Sequence, residues 1–243
     1  GCVRPFLLLA TRADDEPADA EYEAFLLRTG LDASDLVRCR LEAGPMPRID
    51  LEDYSGILVG GSPFNTTTVH KSATQQRVEV EFDALLDRVV AEDFPFLGAC
   101  YGIGTLARHQ GAHIDSTYAE EVGAPEITLT PQGLADPLCA GMAPAFRAFV
   151  AHNDAITVAP PHMVVLATSP SCPVQMMRVK DNLYATQFHP ELDGEFFAHR
   201  QGFYADHGYF DPEALPEIQA WTRAQDVSGS WHVLRNFVER YAR

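Results

Sequence analysis

Apolar residues recur along this chain with two different periods, and the alternation between them lays out the fold. Phe6 to Thr11 is a short continuous apolar run, as expected of a strand buried on both sides. Asp19 to Gly30 puts Tyr22, Phe25, Leu26 and Leu27 on one helical face and ends at a glycine. Leu36 to Leu41 predicts a second strand, and Tyr54 to Gly60 a third that runs into a Gly-Gly turn. Thr74 to Glu92 is the clearest helix, with Val78, Phe82, Leu85, Leu86 and Val89 at helical spacing. Phe94 to Ala99 predicts a fourth strand and Gly102 to Gln110 a short helix. Strands alternating with helices imply a parallel sheet covered by helices on both faces.

The second half has a different rhythm. Ile127 to Thr130, Phe146 to Ala151, Val164 to Thr168, Val174 to Val179 and Tyr184 to Phe188 all read as strands, punctuated by Gly and Pro. With few helices between them, part of the sheet is expected to be mixed or antiparallel. From Gly194 onward the pattern is helical, apart from an aromatic loop at 204–211, and Leu234, Phe237, Val238 and Tyr241 predict a closing amphipathic helix. No repeat, low-complexity linker or clear boundary appears. The expectation is one α/β domain over 1–243, with 195–243 as its helical C-terminal extension.

Composition narrows the function. Of 243 residues, 46% are hydrophobic and 21% charged, which suits one large core or at most two. The formal net charge of −16 repels phosphate backbones and anionic lipid, so neither nucleic acid nor membrane is an expected partner. The run Phe6-Leu7-Leu8-Leu9-Ala10 is too short for a signal peptide and reads as a strand. The five cysteines (2, 39, 100, 139 and 172) are odd in number and form no CxxC pair. That favours a reducing, cytoplasmic setting over a disulfide framework or a zinc site. His109 and His113 flank Gly111, where a helix is ending, so no metal is expected there. The Asp14-Asp15-Glu16 run reads as a solvated loop. Phosphate-loop and dinucleotide fingerprints are absent, and no cofactor is expected.

Chemistry concentrates in three places. In Pro95-Phe96-Leu97-Gly98-Ala99-Cys100-Tyr101-Gly102, an apolar strand meets Gly-x-Cys-x-Gly and then a helix, the pattern of a nucleophile elbow with cysteine in place of serine. A helix N-terminus favours thiolate, the reactive form, and the Tyr101 N–H is placed to help bind an oxyanion. Taken alone, Cys100 is equally readable as a small buried hydrophobe. In Tyr184-Ala185-Thr186-Gln187-Phe188-His189-Pro190-Glu191, a strand ends on a histidine with a carboxylate two residues on. A thiol needs a base, and the base needs an orienting group. The plainer alternative is a solvated strand-end His189 with Glu191 capping the next helix. In Gly56-Ile57-Leu58-Val59-Gly60-Gly61-Ser62-Pro63, exposed amides after the strand offer a second oxyanion donor, or form a simple turn.

In this order, Gly60-Gly61-Ser62-Pro63, Gly98-Ala99-Cys100-Tyr101-Gly102 and Gln187-Phe188-His189-Pro190-Glu191 resemble the motifs of the class I glutamine amidotransferases, most of all the amidotransferase half of GMP synthase. Between them, Glu121-Val122-Gly123 resembles the family's substrate-contacting loop and His152-Asn153-Asp154 its Ser-His-Gly-Asp stretch. The resemblance covers roughly residues 6 to 195. It implies a flavodoxin-like α/β fold and a catalytic Cys100, His189 and Glu191. It also implies an oxyanion hole from Gly61 and Tyr101, and substrate contacts at Gly60, Glu121, Gly123 and His152. The implied reaction is hydrolysis of glutamine to glutamate and ammonia through a γ-glutamyl thioester.

Two positions depart from the family pattern. Gly104 stands four residues after the cysteine, where the family usually has a glutamine that helps hold the substrate backbone, and Ser62 interrupts the Gly-Gly-Pro turn. A smaller residue at 104 leaves room for a different substrate head, so a γ-glutamyl amide or isopeptide hydrolase is an alternative. A non-catalytic binding or regulatory subunit is a third. The pyrophosphatase loop of whole GMP synthases is missing, so an ammonia-accepting synthetase would be a separate chain, and a homo-oligomer is compatible with the sequence.

Overall fold

The computed structural model describes residues 4–208 and 210–243. Gly1, Cys2, Val3 and Tyr209 lie outside the described residues, and with them the reading of Cys2 and of one aromatic in the 204–211 loop. The first half alternates as its periodicity predicts: β1 (Phe6–Ala10), α1 (Asp15–Thr29), β2 (Leu36–Arg40), β3 (Gly56–Val59), α2 (Ala73–Glu92), β4 (Phe96–Ala99) and α3 (Tyr101–His109). Then come β5 (His113–Asp115), β6 (Glu120–Gly123), β7 (Glu126–Leu129), α4 (Pro131–Ala135), β8 (Ala145–Arg147), β9 (Val150–His152) and β10 (Ala155–Val158). The chain closes with β11 (Val164–Ser169), β12 (Cys172–Val179), β13 (Leu183–Thr186), α5 (Gly194–Phe203), α6 (Leu215–Arg223) and α7 (His232–Tyr241).

Among the described residues, nine strands form one sheet in the order β2-β1-β3-β4-β13-β12-β11-β7-β8. The pairings from β2 to β13 are parallel and those from β13 to β8 antiparallel, as the change of rhythm halfway along the sequence foretold. Alternate side chains of the central strands enter opposite cores, as a period of two requires. Leu7, Leu9, Ile57, Val59 and Phe96 meet Val78, Phe82, Leu85, Leu86 and Val89 of α2 and Ile103 and Leu106 of α3. Phe6, Leu8, Leu58, Leu97 and Ala99 point the other way, to Phe25 of α1 and to Val233, Leu234, Phe237 and Val238 of α7. The last helix is therefore part of the main core, although it lies far along the tail.

Three expectations need correction. The predicted strand Phe146 to Ala151 is two strands. β8 ends the large sheet, whereas β9 leaves it to pair with β6. The break falls where the Phe149 carbonyl accepts the His189 N–H at 2.9 Å and the Phe149 ring packs on Phe197 at 4.8 Å. Helix α1 begins four residues earlier than predicted, and it buries Ala18, Glu21, Ala24 and Phe25 while Leu27 is 54% exposed. A buried glutamate and small alanines do not register in an apolar periodicity. Strands β5, β6 and β10 were not predicted, being only three or four residues long, the first two of them largely polar.

Candidate active site

Strands β4 and β13 lie side by side in parallel, with Ala99 beside Thr186, so the residues that follow them leave the same edge of the sheet. Cys100 is the first residue beyond β4. Its N–H still donates to the Thr186 carbonyl at 2.7 Å, and then the chain breaks at φ 53°, ψ −84° into α3. A positive φ at a residue with a side chain is a strained state that persists only when its surroundings over-determine it. Gly98 shows why they do: a Cβ there would lie 2.5 Å from the Gly102 Cα, so only glycine lets α3 approach the strand this closely. Gly102 carries no such demand, as its own Cβ would make ordinary contact with Val59 at 3.6 Å.

His189 follows β13 and is fixed by its N–H bond to Phe149. Its Nδ1 lies 3.1 and 3.2 Å from the two Glu191 carboxylate oxygens, with the Cys100 sulfur also in hydrogen-bond reach of the ring. Both side chains are buried, His189 at 5% exposure and Glu191 at 0%. Burial works against a charged imidazole, but the Glu191 carboxylate and the Cys100 sulfur outweigh it and raise the His189 pKa to about 9. Burial likewise opposes ionisation of Glu191, and the charge and hydrogen bond of His189 outweigh it, holding its pKa below the usual range. A thiol, an imidazole and a carboxylate thus lie in series.

The Gly60-Gly61 turn follows β3, and the Gly60 N–H donates to the Leu9 carbonyl at 3.1 Å. A Cβ on Gly61 would lie 2.9 Å from the His189 Cε1, so this glycine sits directly against the imidazole. Tyr101 opens α3, where a backbone N–H has no partner within the helix. Its ring is wedged edge-on between Phe64 and Phe82, with centroids 6.1 and 6.3 Å away.

The remaining predicted positions are gathered elsewhere. His152 is tied to Glu120, Nε2 to Oε1 at 2.7 Å, and its Nδ1 faces the Asp154 carbonyl at 2.9 Å. Glu121 itself is exposed, and Gly123 pairs with Val150 in the β6–β9 ribbon. The buried carboxylate is its neighbour Glu120, which also accepts from Ser171 and Gln175. Glu120, His152 and Cys172 bring three ligand-type atoms within 4.8 Å of one another, apart from the Cys100 group. The 2.7 Å contact there is a hydrogen bond. Two ligands of one zinc ion, each at about 2.0 Å in tetrahedral geometry, stand roughly 3.3 Å apart. Gly104 is not open either: Thr66 lies 3.3 Å from where its Cβ would be, and Asp154 holds the Thr66 and Thr67 hydroxyls. The room expected from the missing side chain is partly filled.

Sequence reasoning missed Gln187 as a site residue, although it lies in a quoted motif. Its Nε2 donates toward the Cys100 sulfur at 3.9 Å. It also missed Arg12 and Glu21, a buried ion pair at 3.1 Å that lies against the Gly60-Gly61 turn. No spacing rule marks two residues that meet only once the chain has folded.

A cysteine at a sharp elbow, a buried His-Glu pair and a glycine turn thus meet at one edge of a mixed α/β sheet. Residues 30–200 match the family described as "Glutamine amidotransferase class-I", and the chain belongs to that family. It is 29% identical over 164 residues to GMP synthase (glutamine-hydrolyzing) from Shigella flexneri serotype 5b (strain 8401), covering 64% of this chain and 29% of the relative. The same enzyme from Escherichia coli O1:K1 / APEC matches equally. The chain thus spans under a third of the length of these curated relatives. A solved glutamine amidotransferase from Thermotoga maritima superposes with a TM-score of 0.73 at 20% identity, covering 98% of both chains. One from Methylobacillus flagellatus gives 0.72 at 19%, covering 99% of this chain and 96% of that one. These likenesses establish the fold, and they take in the C-terminal tail. No helix among the described residues is long and apolar enough to cross a membrane.

Proposed function

We propose that this chain hydrolyses the side-chain amide of glutamine, supplying ammonia to a synthetase. The observation behind this reading is Cys100 at a strained elbow, on the strand next to a buried His189-Glu191 pair. The Cys100 thiolate attacks the γ-carbonyl carbon, and the electron pair moves onto the oxygen. The N–H groups of Gly61 and Tyr101 stabilise that oxyanion. Collapse breaks the C–N bond as His189 gives its proton to the departing nitrogen, and ammonia leaves a γ-glutamyl thioester. Water, deprotonated by His189, then attacks the thioester, releasing glutamate and the thiolate. Glu191 keeps the imidazole in the orientation both transfers need. The family membership and the name of the curated relatives support glutamine as the amide. The residues form one domain whose tail is integral to it, and a cytoplasmic location suits the free thiols.

A second reading rests on Gly104 and Thr66, which replace the expected glutamine side chain: the same chemistry acting on a substituted γ-glutamyl amide. Intact mass after treatment with a diazo-ketone analogue of glutamine tests both. A single adduct that is lost in Cys100→Ala is expected. Turnover across a panel of γ-glutamyl amides then separates the readings, since exclusive turnover of glutamine sinks the second. No adduct together with no release of glutamate from any amide sinks both.

A further inference from the structure

Two charged side chains outside the family-matched span press on the glycine turn from below. Arg12 is 7% exposed and Glu21 1%, and the Arg12 Nε–H donates to Glu21 Oε2 at 3.1 Å. A Cβ on Gly60 would lie 2.5 Å from Glu21 Oε1, an oxygen that is buried with no hydrogen-bond partner among the described residues. A Cβ on Gly61 would lie 2.9 Å from Arg12 Nη2 and equally close to the His189 Cε1. The backbone around Arg12 grips the same turn: Leu9 accepts the Gly60 N–H at 3.1 Å, and the Thr11 hydroxyl donates to the Gly61 carbonyl at 3.5 Å. Glu191, Arg200 and Tyr204 surround Arg12 electrostatically.

A lone buried ion pair is costly and is weak evidence of stabilisation by itself. This one is packed against both glycines and the imidazole edge. We propose that the Arg12–Glu21 pair is the positioning element of the oxyanion turn, holding the Gly61 amide at the point where the tetrahedral oxygen forms. The inference rests on the hydrolytic reading above. It explains why both residues of the turn lack side chains: Glu21 fills the space beside Gly60, and Arg12 the space beside Gly61. Arg12 touches no reacting atom and acts through Gly61.

Three measurements test it: steady-state hydrolysis, affinity for a γ-glutamyl aldehyde, and alkylation by iodoacetamide. The aldehyde adduct with Cys100 is a tetrahedral thiohemiacetal whose oxygen occupies the oxyanion position, whereas alkylation creates no such oxygen. Arg12→Met is expected to lower kcat about 10–100-fold, in the range of a misplaced or lost oxyanion donor, with KM changed by no more than about twofold. Aldehyde affinity should fall with kcat, the alkylation rate should stay at the wild-type value, and Arg12→Lys should recover most of the loss. If Arg12→Met does not fold, Arg12→Met/Glu21→Gln, which leaves no unpaired carboxylate, takes its place with the same expectations. Wild-type kcat in whichever variant folds overturns the proposal, as does an alkylation rate that falls in step with hydrolysis. If the wild type forms the aldehyde adduct but hydrolyses no amide, the hydrolytic reading fails, and aldehyde affinity alone decides the role of Arg12.

Discussion

At the scale of single residues the proposed chemistry turns on where one proton sits. The Glu191 carboxylate and the Cys100 sulfur raise the His189 pKa to about 9 against the penalty of burial, so the imidazole keeps its proton across the neutral range. Because the folded value is raised, the stabilisation from this pair is complete below the unfolded histidine value of about 6.5. It is lost as pH rises through about 9, and kcat/KM should fall through the same window. Glu191→Gln removes the main attractive cause, so the alkaline limb should move to lower pH while kcat drops by roughly 10²–10⁴, by analogy with other triads. A pH–rate profile of the two proteins settles this, and an unmoved limb refutes it. Cys100, His189 and Glu191 were legible in the sequence because each motif is local: the elbow glycines flank the cysteine, and the carboxylate lies two residues from the base. Arg12 and Glu21 were not, since their relation to Gly60 and Gly61 exists only after β1 and β3 pair.

At the scale of elements, the elbow depends on one close approach. Gly98→Ala would place a methyl 2.5 Å from the Gly102 Cα, a backbone atom that can yield only if α3 moves away from β4. The expected cost is about 1–3 kcal/mol of stability, as for overpacking elsewhere. Hydrolysis should suffer more than that implies, because the Cys100 sulfur and the Tyr101 amide ride on the same helix. Gly102→Ala, with ordinary contact at 3.6 Å, is the control. Denaturant melts and kcat of the two variants check the ranking, and equal effects would refute it. Helix α2 was read almost to the residue because periodicity and cap agree: five apolar positions are buried, and the Ser72 hydroxyl accepts the Gln75 N–H. The β8–β9 break was not legible, because it is imposed by His189 and Phe197 from elsewhere in the chain rather than by any residue of 146–151.

At the scale of the whole molecule, the tail closes what the first strand opens. Phe237 of α7 is fully buried and packs on Phe6 of β1 at 5.9 Å, and the Arg4 N–H donates to the Arg243 carbonyl at 2.7 Å. The two ends of the described chain thus meet at Ser55, just ahead of β3. Cys100, by contrast, leaves the C-terminal end of β4 and heads α3, whose Ile103 and Leu106 belong to the opposite core. Stability and chemistry are therefore separable here. Phe237→Ala should cost about 3–5 kcal/mol, the usual price of emptying a core phenylalanine. For a chain of this size that lowers the melting temperature by roughly 6–20 °C. The molecules still folded at low temperature should keep wild-type kcat per titratable Cys100, since the Phe237 ring packs on Phe6 and beside Gly56, the opening residues of β1 and β3, whereas Cys100 follows the end of β4. Thermal melts with thiol titration of the folded fraction measure the two quantities apart. A fall in kcat per active site would mean that α7 reaches the site through the sheet, and that its role is more than completing the core.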